Sequence, residues 1–232
     1  MRALFLFSII LLTLQLTGQH YSPGPGEPDA DWLEQHLYKG IEWQPLYPSA
    51  TGHEFFLTNN YITGDITSEG IEYSGIRMKY DICNDNLILL WQSTFPIIID
   101  RKRTDSFILK YEGMERRFIN SDRLCSDIHG FAEVLYSGHS MVLARHTKVL
   151  SVNASLSSYE QFRENTKYYY VVNGTCSQIR STKAFYDMMG DFKREVRRYI
   201  RQKNVVVSRL FPEGFALAAA RYDALVTGES KE

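Results

Sequence analysis

The chain has 232 residues, with 26 Lys and Arg against 27 Asp and Glu, and 44% of it is hydrophobic. That length supports one domain, or one domain with an appendage, and a core that folds without disulfide staples or a structural metal. A formal net charge of −1 exerts no global pull toward nucleic acid or an anionic surface, so a nucleic-acid partner is not expected.

Arg2 precedes an apolar run over residues 3–12, and Thr17-Gly18-Gln19 closes the segment. This is the pattern of a secretory signal peptide, too short to span a bilayer. Cleavage is expected after Gly18, leaving Gln19 first, or else after Gln19. No cysteine lies near the cut, so a lipid anchor there is not expected. No later run of about 18 apolar residues follows, so the mature chain is expected to lack a transmembrane span. The mature protein is expected to be exported, either soluble or envelope-associated.

Residues 19–31 are rich in Pro and Gly and read as a loosely held mature N-terminus. Residues 31–39 predict one or two helical turns, with Asp31 as cap. Pro45 and Pro48 interrupt regular structure, and Trp43, Tyr47, Phe55 and Phe56 are expected to pin this stretch to the body.

From Tyr61 the pattern is β. Short runs rich in Ile, Tyr, Phe and Thr occupy 61–67, 71–82, 87–92, 97–100, 107–111 and 116–120, with turn residues between most of them. Apolar and polar residues alternate over 71–80, which marks strands with one wet face. Gly75 breaks the alternation and predicts a bulge. Two hairpins follow: 131–136 with 141–150, and 167–172 turning through Asn173-Gly174 into 176–180. Residues 153–165 are polar and read as a loop or short helix.

At Ser181 the period changes to 3.6. Phe185, Met188, Met189, Phe192, Val196, Tyr199 and Ile200 form one apolar stripe, with Ser181 or Thr182 capping it and Gly190-Asp191 able to split it. A last helix is expected over 212–226, ended by Gly228. The fold class is therefore α+β. Some eight or nine antiparallel strands form a β-meander (curved sheet, open barrel or sandwich), and two or three C-terminal helices follow. By segment, 1–18 is signal peptide, 32–180 the mainly β domain and 181–232 the helical layer packed on it.

The motifs that carry chemistry elsewhere are weak here. Gly138-His139-Ser140-Met141-Val142 resembles the serine nucleophile elbow, but it lacks the final glycine and sits in a hairpin turn. His129, His139 and His146 are near one another with Asp122, Asp127 and Glu133, but at spacings that do not converge on one face. Asp100–Asp105 is a charged turn with both signs present. Tyr168-Tyr169-Tyr170 puts aromatics on both faces of a strand, as core or as a sugar or peptide platform. Asn153 and Asn173 fit the glycosylation acceptor pattern, and Asn173 also suits its turn. Cys83, Cys125 and Cys176 lack zinc or redox spacing, and at most one disulfide is expected. No catalytic, cofactor or metal residues are assigned.

One patch stands out. Over 191–203, Lys193, Arg194, Arg197, Arg198, Arg201 and Lys203 face only Asp191 and Glu195, a local charge of +4. Lys193, Arg194, Arg197, Arg198 and Arg201 are the candidate contact surface for an anionic membrane or an acidic envelope protein, if they are not simply the wet face of the helix.

The segments Gly64-Asp65-Ile66-Thr67-Ser68-Glu69-Gly70-Ile71-Glu72-Tyr73, Met78-Lys79-Tyr80-Asp81-Ile82, Asn84-Asp85-Asn86-Leu87, Lys167-Tyr168-Tyr169-Tyr170 and 191–200 together resemble a group of uncharacterised exported proteins of Bacteroidota bacteria. The resemblance covers most of the mature chain and implies an envelope or periplasmic location. It carries no activity and no catalytic residues. The expected function is a non-enzymatic binding or assembly module of the cell envelope. The alternative is a carrier of an apolar ligand held between sheet and helices, and less favoured is a hydrolase built from distant residues.

Overall fold

The computed structural model describes residues 36–122, 124–152 and 160–228. The expected leader, the expected cap Asp31, Trp32 and Asn153 lie outside the described residues.

Eleven antiparallel strands form one sheet in the order β1-β5-β4-β3-β2-β6-β7-β8-β9-β10-β11. They are β1 (Gly40–Glu42), β2 (Ile62–Ser68), β3 (Ile71–Asp81), β4 (Asn86–Trp91), β5 (Phe95–Ile99), β6 (Thr104–Tyr111), β7 (Met114–Asn120), β8 (Phe131–Ser137), β9 (Met141–Val152), β10 (Glu160–Val172) and β11 (Thr175–Gln178). Three α-helices follow: α1 (Thr182–Asp187), α2 (Lys193–Gln202) and α3 (Glu213–Val226). A 3₁₀ turn at Gly190–Phe192 separates α1 from α2, at the expected break. The α+β class stands, with more strands than the turn signals indicated.

The sheet is two meanders joined by a crossover. Strands β2 to β5 run consecutively, and then β6 returns to pair with β2. The charged segment 100–103 is thus no hairpin turn: it links strands four places apart. In a flat sheet they would be separated by about 19 Å at ~4.8 Å per strand. The linker is folded into tight turns, Arg103 N donating to Asp100 O (3.1 Å) and Thr104 N to Arg101 O (3.1 Å), and cannot reach that far. The sheet therefore curls.

Ring contacts report the same curvature. The Tyr80 ring on β3 meets Phe107 on β6 (5.2 Å), Phe118 on β7 (5.2 Å) and Phe131 on β8 (5.9 Å) edge-on. These rings fill the concave side together with Ile66, Met78 and Leu109. The Lys148 amide of β9 donates to the Ile82 carbonyl beyond β3 at 3.0 Å. One such bond is no ladder, and the sheet stays open. At the bulge, Ser74 and Gly75 on β3 face Asp65 alone on β2, with Gly75 at φ +73° donating to Asp65 Oδ1.

The helices cover the same face at its other end. Val142, Ala144, Tyr168 and Tyr170 pack there under Phe185, Val196 and Phe215. On the opposite face, Ala132, Leu143 and Tyr169 pack under the 121–130 loop, which a Cys125–Cys176 disulfide ties to β11. Cys83 is a free thiol. Both faces of the Tyr168-Tyr169-Tyr170 run are thereby covered, so it is core and not a platform. Strand β10 begins at Glu160, where a loop or helix was expected. Gly40–Glu42 forms an edge strand where none was expected.

Candidate functional site

A row of polar side chains lies between the two cores. Direct cross-strand pairing puts Phe118 opposite Glu133, and Glu133 opposite Ala144. Arg116 and His146, two residues along from Phe118 and Ala144, therefore share their face. The Arg116 guanidinium grips Glu133 with two hydrogen bonds, Nη2 donating to Oε2 at 2.8 Å. His146 Nε2 meets Glu133 Oε2 at 2.7 Å, and its Nδ1 meets the Thr166 hydroxyl of β10 at 3.0 Å. The Phe56 ring lies against the imidazole at 4.7 Å. Burial pushes the Glu133 carboxyl up, but His146 and Arg116 more than offset it and hold it below the usual carboxylate range.

Carboxylate, imidazole and hydroxyl in line is the order of an acyl-transfer triad. Here the Glu133 and His146 side chains are only 4% and 8% exposed, under Phe56 and Phe118. Thr166 sits within the β10 ladder, its carbonyl accepting from Arg209. Glu133 and His146 form a buried electrostatic joint between strands, screened by those rings, while Arg116 and Thr166 at the ends of the row are part-exposed.

The Gly138-His139-Ser140 turn joins β8 to β9. Asp223 of α3 reaches it: Oδ1 accepts from Ser140 Oγ (2.6 Å), and Oδ2 from Ser140 N (2.9 Å) and from the Tyr136 hydroxyl (2.9 Å). Burial and the Asp223 carboxylate push the Tyr136 phenol up to about 12. A Cβ on Gly138 would lie 2.4 Å from Asp223 Oδ2, so a side chain there would have to displace that carboxylate. Ser140 is thus tied to a structural carboxylate, while His139 is exposed.

A third cluster surrounds Asp85, in the turn after β3. It accepts from Tyr80 (2.7 Å), Arg145 (2.9 Å) and Arg101 (2.7 Å). Gly130, at φ +89°, touches it so closely that a Cβ would come within 1.6 Å of Oδ2. Arg103 of the same crossover pairs with Glu69 at 2.7 Å. Both arginines of the charged segment are therefore engaged internally.

Among the described residues, no group of three His, Cys, Asp or Glu is arranged to hold a metal ion. His146 is buried in its row, while His129 and His139 are exposed.

The basic helix is different. In α2, Val196 and Ile200 are buried, and Phe192 and Tyr199 pack on the helical core. Arg194, Arg197, Arg198 and Arg201 fall at i, i+3, i+4 and i+7 and form one exposed stripe. Arg197 also stacks over Tyr186 at 5.4 Å, and Arg201 Nε bonds the Arg197 carbonyl at 3.3 Å. Lys193 is set apart, half-buried and paired with Asp187.

The chain then enters segment 203–212, of which 204–211 drew no expectation from the sequence. Val205 and Val207 turn inward onto the helical core. Val206 (58%), Leu210 (85%) and Phe211 (56%) stand out in solvent. The signal was available: an apolar run between two helices that keeps neither the helical nor the strand period.

Comparison of the chain with protein-family models, with curated proteins and with solved structures finds no match in any of the three.

Proposed function

We propose that the protein is an exported, non-enzymatic binding or assembly module of the cell envelope, with the C-terminal helical layer as its contact surface. The apolar leader read in the sequence carries the location. The observation that carries the contact surface is the stripe of Arg194, Arg197, Arg198 and Arg201, all exposed on one face of a helix whose other face is core. Concentrated cations of this kind favour an anionic partner. The polar constellations elsewhere are occupied in holding strands and helices together, which supports a binding role over a catalytic one.

The carrier alternative has less support. The concave side, where an acyl chain would lie, holds the rings of Tyr80, Phe107, Phe118 and Phe131 in mutual contact. No described helix is long and apolar enough to cross a membrane.

The test is the triple variant Arg197→Glu/Arg198→Glu/Arg201→Glu, followed by cell fractionation. Association with the envelope is expected to drop while thermal stability stays near that of the parent, since all three side chains are exposed. Undiminished association of the folded variant would remove the helix from the contact surface.

A further inference from the structure

Resting on that reading, we infer that the partner is an anionic lipid surface and that segment 203–212 is the part that enters it, an apolar wedge inside a basic collar. Three observations converge on this. First, the segment presents Val206, Leu210 and Phe211 to solvent at 58%, 85% and 56% exposure. Exposed apolar side chains clustered at one turn mark a surface that is covered in use.

Second, the wedge is held rigidly. Ser208 and Phe211 form an isolated antiparallel bridge, Phe211 N donating to Ser208 O at 3.1 Å, so Arg209 and Leu210 occupy the tip of a tight turn. Val205 N donates to Ile200 O (3.3 Å), and Thr182 Oγ1 to Val207 O (2.9 Å). Arg209 Nη2 donates to Thr166 O at 3.2 Å. Val205 and Val207 anchor the segment from below. A turn already fixed in this way loses little conformational freedom on insertion.

Third, the charge fits only one sign of partner. From Lys193 to Arg209 the chain carries Lys193, Arg194, Arg197, Arg198, Arg201, Lys203 and Arg209 against Glu195 alone. Arg201, Lys203 and Arg209 flank the apolar residues directly in sequence and are exposed. Glu213, exposed and lining the recess beside Val206 and Phe211 (about 260 Å³), offsets one of these seven charges and leaves the excess positive. Apolar residues at a tip with cations beside them match the boundary of an anionic bilayer, where acyl chains lie beneath phosphate headgroups. An acidic protein would be served by the arginine stripe alone and would leave Leu210 and Phe211 in water.

The test uses the chain from Gln19, which keeps every described residue and removes the apolar leader, itself a lipid-seeking segment. Binding is measured by co-sedimentation with vesicles of phosphatidylcholine alone and of phosphatidylcholine doped with phosphatidylglycerol. The parent is expected to bind the doped vesicles and to release them as salt rises. The variant Leu210→Ser/Phe211→Ser is expected to bind about ten-fold more weakly with an unchanged melting temperature. The variant Leu210→Trp is expected to show a blue-shifted emission that brominated lipid quenches.

Parent-level binding by the serine variant, or a tryptophan left in water on bound vesicles, would overturn the wedge. If the parent ignores both vesicles while the arginine-reversed chain still loses its envelope association, the lipid partner falls and the contact-surface reading stands. If vesicles are ignored and charge reversal also changes nothing, both fall.

Discussion

Asp223 shows how one carboxylate can fix a helix to a sheet. Its two oxygens take three hydrogen bonds from the β8–β9 hairpin, two from Ser140 in the turn and one from Tyr136 on β8, and it is 6% exposed. Asp223→Ala leaves a buried amide and two hydroxyls unpartnered, and it should cost about 3 kcal/mol in urea unfolding. Glu133 makes a pH-dependent contribution of the same kind. Its carboxyl is held below its ordinary value of 4.5 in the fold. The unfolded chain therefore takes up the proton first as pH falls. The stability is present above about pH 4.5 and is lost as pH drops through the lower, folded value. Glu133→Gln should flatten the acid limb of the stability profile, read as the urea midpoint against pH. Glu133 was grouped with His146 in the sequence only as a weak metal candidate, and Asp223 was not legible as a partner at all. Asp223 and Ser140 are 83 residues apart, and only the docking of α3 brings them together.

At the level of elements, the sequence was legible wherever one period dominated. The alternation over 71–80, the glycine bulge and the Asn-Gly turn all appear as read, the turn with φ of +50° and +71°. So does the Ser181 cap, its side chain accepting from Ala184 N. The misreadings have physical causes. Residues 160–165 are mostly polar because the outer half of β10 is largely wet, and that polarity was taken for a loop or short helix. β1 has only three residues and no buried side chain to signal it. Which two cysteines pair was open, since spacing does not encode distance in a curled sheet. The Cys125–Cys176 bridge closes 51 residues and holds the 121–130 loop against β11. Cys125→Ser/Cys176→Ser should lower stability by roughly 2–4 kcal/mol, measured by denaturant unfolding beside the reduced parent.

For the whole molecule, strand order was the hidden quantity. Turn signals predict which strands are hairpins, but they do not say that β6 returns to β2. That return puts Arg101 and Arg103 beside Asp85 and Glu69, so a segment read as a surface charge cluster becomes internal bracing. The candidate site divides along the same line. The arginine stripe of α2 was readable because a helix displays its faces in its own sequence. The turn beyond it showed only as an apolar run of no period, and which of Val205 and Val206 faces water depends on where α3 docks.

The sheet's two borders have a consequence for self-association. An open sheet normally offers unpaired backbone to any passing strand. Here β1 is three residues long and β11 four. The outer side of β10 beyond β11 is stopped at intervals: Phe162 N donates to Thr51 O, Thr166 O accepts from Arg209, and Tyr168 O accepts from Ile179 N. Among the described residues the two ends of the sheet thus keep no long border, whereas β3 pairs with β4 only over Met78–Asp81 and leaves 71–77 unpaired on that side. Strand addition is thereby disfavoured at the two ends of the sheet, and 71–77 is the stretch of border that a second strand could meet.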